Sequence, residues 1–114
     1  MVVNDLSSAL EVLRQMDGQL VETDIEVDPE AELAGVYRHV GAGGTVMRPT
    51  KIDGPAMIFN NIKNHKDARV LIGLLASRER VAKLMDCRKE ELGKLLCRAA
   101  LPPIEHVVSE EKAP

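Results

Sequence analysis

Aromatic side chains are nearly missing from this sequence: Tyr37 and Phe59 are the only two, and there is no tryptophan. A core built without them must come from Leu, Val, Ile, Ala and Met, and a surface on which nucleic-acid bases stack is excluded for want of rings. Cysteine is also scarce. Cys87 and Cys97 follow neither a CxxC nor a zinc-finger spacing. On one helix they would stand about 15 Å apart, beyond the reach of a disulfide, so both read as buried or half-buried thiols in a reducing compartment. Long apolar runs are lacking too. The longest, Val70 to Ala76, falls far short of the ~20 residues that span a bilayer. Asp5, Ser7 and Ser8 interrupt the one place where a signal-peptide core could lie, so the cytoplasm is the expected location. A net charge of -3 gives no attraction to nucleic acid or to an anionic membrane.

What is present suits one soluble domain. The chain has 114 residues, 45% hydrophobic and 29% charged, enough for a single core without staples. Leu6, Ala9, Leu10, Leu13 and Met16 recur at helical spacing, with Asn4 or Asp5 as N-cap and Gly18 as stop. Gln19 to Val27 alternates loosely and reads as a half-buried strand. Asp28 then caps a second helix, with Pro29 in its first position and Leu33, Val36, Tyr37 and Val40 on its apolar face up to Gly41. The stretch GAGGTVMRPTKIDG is a loop. A strand is expected over Ala56 to Phe59, and a polar turn around Ile62. A second apolar strand follows over Arg69 to Leu75, its nearly continuous hydrophobicity suggesting burial on both faces.

Ser77 caps a third helix with Val81, Ala82, Leu84 and Met85 inside, and a fourth runs from about Lys89 to Ala100 with Leu92, Leu95, Leu96 and Ala99 inside. Pro102 and Pro103 stop it, and Ile104 to Val108 is extended. The predicted class is α/β (α+β): a small mixed sheet flanked by about four helices. Residues 1–108 form the domain, and residues 109–114 a tail or linker.

Few residues suggest chemistry. Gly41, Gly43 and Gly44 follow a helix end instead of preceding a helix start, so they read as a flexible cap and not as a phosphate cradle; Arg48 and Lys51 lend the loop only weak anion affinity. His39, His65 and His106 are scattered, none with a ligand partner three or four residues on. Glu22, Asp24, Glu26, Asp28, Glu30 and Glu32 lack calcium-loop spacing and read as solvated charge. Arg78, Arg80, Lys83, Arg88, Lys89, Lys94 and Arg98 alternate with Glu79, Asp86, Glu90 and Glu91, as expected for an exposed face of helical ion pairs, with a docking face for an acidic neighbour as the alternative. No Ser-His-Asp or Cys-His arrangement is suggested.

Three stretches carry a resemblance. DLSSALEVLRQMDGQLVETDIEVDPEAELAGVYRHV, HVGAGGTVMRPT and GPAMIFNNIKNHKDARVLIGLLASRERVAKLM together resemble the N-terminal part of the UbiD family of prenylated-FMN-dependent decarboxylases. Within it they look most like the branch acting on hydroxyarylic acids such as protocatechuate, gallate, 4-hydroxybenzoate or vanillate. The resemblance implies a non-oxidative aromatic acid decarboxylase using prenylated FMN, manganese and potassium. It further implies a Glu-Arg-Glu constellation in a downstream split-barrel domain. This chain is then expected to be an N-terminal fragment or domain supporting that catalytic part. No catalytic, cofactor-binding or metal-binding residue is assigned within it, and the chain alone is expected to be inactive. The alternative is a free-standing interaction module docking on a decarboxylase subunit. The expected partners are a downstream catalytic domain or subunit, or further copies of the chain.

Overall fold

A computed structural model describes residues 2–42, 53–101, 105 and 108. Its elements, in chain order, are α1 (Leu6–Arg14), β1 (Leu20–Thr23), α2 (Glu32–Ala42), β2 (Ala56–Phe59), β3 (Val70–Ile72), α3 (Arg78–Leu84), a 3-10 turn (Lys89–Glu91) and α4 (Leu92–Ala99). The α-β-α-β-β-α-α order read from the sequence is the observed one. The result is a three-stranded mixed sheet with four α-helices among the described residues.

β2 is the centre of the sheet, which runs β1-β2-β3. β1 pairs with β2 in parallel, Leu20 opposite Ala56 and Thr23 opposite Phe59, so the chain must cross over between them, and α2 is the crossover. β3 returns antiparallel, with Met57 opposite Ile72 and Phe59 opposite Val70. All four residues of β2 are buried. Val27, Leu33, Met57, Phe59 and Ile62 form the core cluster, with Val36, Tyr37, Val40 and Ile72 packed around it. The apolar face of α2 is therefore the one its spacing predicts.

Several boundaries move for physical reasons. Asp5 is the cap of α1: its carboxylate accepts the backbone N–H of Ser8 at 2.8 Å, and Ser8 Oγ accepts the N–H of Asp5 at 3.1 Å. β1 stops at Thr23 instead of reaching Val27, which rejoins as a single parallel bridge to Ile62. That bridge buries Ile62, a residue whose polar neighbours hide its core role. α2 begins at Glu32 because Asp28 holds a separate turn first, its side chain accepting the N–H of Glu30 at 2.9 Å.

β3 differs most from expectation. It spans only Val70–Ile72, is half-buried, and lies at the edge of the sheet; the strand buried on both faces is β2. Gly73, at φ +79, turns the chain out of the ladder, and Leu75 is left exposed. In α3, Ser77 caps as predicted, but Ala82 and Arg80 are the buried residues and Met85 is exposed. α4 buries only Leu92; Leu95 is half-buried, while Leu96 and Ala99 are exposed. Cys87 is half-buried as expected, whereas Cys97 is exposed. The predicted Pro102-Pro103 stop, most of the Ile104 to Val108 run and the 109–114 tail lie outside the described residues.

The packing sets a clear hierarchy. Phe59→Ala, which empties the middle of β2, is expected to cost roughly 3–5 kcal/mol, while Ser77→Ala costs about 1 kcal/mol. Denaturant midpoints of the two variants, compared at equal slope, check the ranking.

Candidate functional site

The most constrained polar group in the fold is Arg80, whose side chain is completely buried. It follows the Ser77 cap by three residues, which turns it inward toward the ends of all three strands. Nε donates to the carbonyl of Leu74 at 3.0 Å and Nη2 to that of Gly73 at 2.7 Å. Nη1 donates to Gln19 Oε1 at 2.8 Å and to the carbonyl of Gly54 at 2.9 Å. Gln19 precedes β1, Gly54 lies just before β2, and Gly73 and Leu74 follow β3. One planar guanidinium thus ties the same end of every strand. Burial pushes Arg80 down from its ordinary value, with the Tyr37 phenol and the Asp53 carboxylate opposing the shift; a guanidinium remains charged at any ordinary pH.

Glycines allow this junction to close. A Cβ on Gly73 would collide with the hydroxyl end of Tyr37, and one on Gly41 would lie 2.5 Å from Tyr37 Cε2. A Cβ on Gly54 would run into the carbonyl of Gly41. Gly41 is thus a packing residue inside α2, which continues to Ala42, and not the residue that ends the helix.

At the opposite end of the sheet, the acidic stretch meets the turn after β2. Asn60 Nδ2 donates to Asp24 Oδ1 at 3.0 Å, and Asn61 Nδ2 donates to the Asp24 carbonyl at 3.2 Å. Lys66 pairs with Glu26, and Lys63 lies 3.5 Å from Asp28. Glu22 pairs with Arg14 of α1 at 3.0 Å. The solvated reading of these carboxylates holds, with the addition that most are clasped by named partners. Lys66 holds Glu26 below the usual carboxylate range; the N–H of Glu30, ahead of Lys63, does the same for Asp28.

The remaining candidates are dispersed. His39 is exposed in the last turn of α2, and His65 is exposed in the turn after β2. His106, Gly43, Gly44, Arg48 and Lys51 lie outside the described residues. Among the described residues, no three His, Cys, Asp or Glu side chains gather closely enough to hold a metal ion. On the outer side of α3 and α4 an open cleft of about 880 Å³ is lined by Arg78, Arg88, Lys94 and Arg98 together with Glu90 and Glu91. Arg88 is committed to Glu91 at 2.8 Å, and Lys89 to Glu79 at 3.5 Å.

Residues 11–100 match the model of the 3-octaprenyl-4-hydroxybenzoate carboxy-lyase N-terminal domain. The chain belongs to the UbiD family.

Its relatives place this UbiD domain more finely. It is 50% identical over 111 residues to the gallate decarboxylase of Lactiplantibacillus plantarum, covering 96% of the chain but 22% of that protein. The apo 3,4-dihydroxybenzoic acid decarboxylase of Klebsiella pneumoniae superposes with a TM-score of 0.79 at 53% identity, over 90% of this chain and 21% of that one. The corresponding apo enzyme of Enterobacter cloacae gives 0.80 at 50% identity, over 91% and 21%. The UbiD domain therefore spans about a fifth of the length of the relatives it matches.

Neither Arg80 nor the clasped carboxylates offer a seat for a flavin phosphate or a divalent metal: Arg80, the one buried cation among the described residues, gives four of its five N–H donors to oxygen acceptors of the fold itself, and the carboxylates are spread along an exposed edge. Sequence reasoning missed the role of Arg80 by grouping it with the surface bases. A signal exists: it stands three residues after Ser77 and four before Leu84, on the helix stripe that faces inward.

Replacing Arg80 with Lys removes the fork and leaves buried carbonyls without donors, so Arg80→Lys is expected to cost roughly 3 kcal/mol in urea unfolding. The clasp predicts a pH dependence. Folding lowers the carboxyl pKa of Glu26 and Asp28 from 4.5 and 3.8. Their stabilisation is therefore complete above those values and is lost as pH falls through the lowered ones. Unfolding measured from pH 6 downward should show Lys66→Ala flattening this acid limb.

Proposed function

We propose that the chain is the N-terminal supporting domain of a non-oxidative carboxy-lyase acting on a hydroxyaromatic acid. Residues 1–108 are the domain, and residues 109–114 lead toward a separate catalytic portion. The observation that carries this reading is the 50% identity to gallate decarboxylase across 96% of this chain and only 22% of that protein. The two 3,4-dihydroxybenzoic acid decarboxylases support it by the same fold at 53% and 50% identity. Loss of carbon dioxide from a ring carbon leaves an aryl carbanion, and prenylated FMN, with manganese and potassium, is the electron sink we assign to the catalytic portion. The residues of this chain contribute a rigid, stapled sheet and outward faces. The cytoplasm is the proposed location. Its support is that no helix among the described residues is long and apolar enough to cross a membrane and that the described cysteines are free.

The test is an exchange. The purified chain, supplied with prenylated FMN, Mn²⁺ and K⁺, is expected neither to retain the flavin nor to release carbon dioxide from gallate or 3,4-dihydroxybenzoate. Substituted for the matching fifth of the Lactiplantibacillus plantarum gallate decarboxylase, it is expected to give an active chimera. Turnover by the chain alone, or a well-folded chimera without turnover, overturns the reading.

A further inference from the structure

We draw no further inference here: the strongest candidate, the apolar face of α4 made by Leu92, Leu95, Leu96 and Ala99, of which only Leu92 is buried among the described residues, carries none because nothing in the structure shows what covers it.

Discussion

A single buried cation organises the fold. Arg80 spans the gap between α3 and the sheet and supplies donors to strand ends that the backbone ladder cannot satisfy by itself. Its acceptors are carbonyls and one side-chain amide instead of a carboxylate, so the charge is solvated by dipoles. That arrangement demands geometry. Each N–H of a planar fork has to find an oxygen in its own plane, and this fixes the positions of the segments entering β1 and β2 and of the segment leaving β3. The small residues around it follow from the same demand, because the Tyr37 ring and three backbone segments must approach closely enough to enclose the guanidinium.

How much of this could be read beforehand depends on which interaction decides each element. Helices set by local caps were legible: Asp5 and Ser77 lie next to the groups they satisfy, and neither needs the rest of the chain. β2 was legible as a strand because Ala56 to Phe59 is a short apolar run, while its central place in the sheet was not. β3 was not, since Val70 to Leu75 reads as equally apolar and only the left-handed turn at Gly73 ends the pairing. Ile62 and Arg80 were hidden for the same reason. Each has neighbours of the opposite character, and each is buried by contacts with residues far away in sequence. Gly41 was misread as a stop because a glycine needed for close packing looks the same as one needed for a turn.

The functional reading had a different source. Composition and spacing point to a packed domain, and they would never have pointed to a decarboxylase. The resemblance of three stretches supplied that, and the family match with its half-identical relatives secures the family. At α4 periodicity predicted a buried stripe, and among the described residues only Leu92 of it is buried.

The sheet's outline has one more consequence. β1 and β3, its two margins among the described residues, are only four and three residues long, and β1 carries Glu22 held by an arginine of α1. Stray strands from other molecules would find few free amides to grip and a charged lateral border. Such a border discourages fibrillar stacking of one copy upon another.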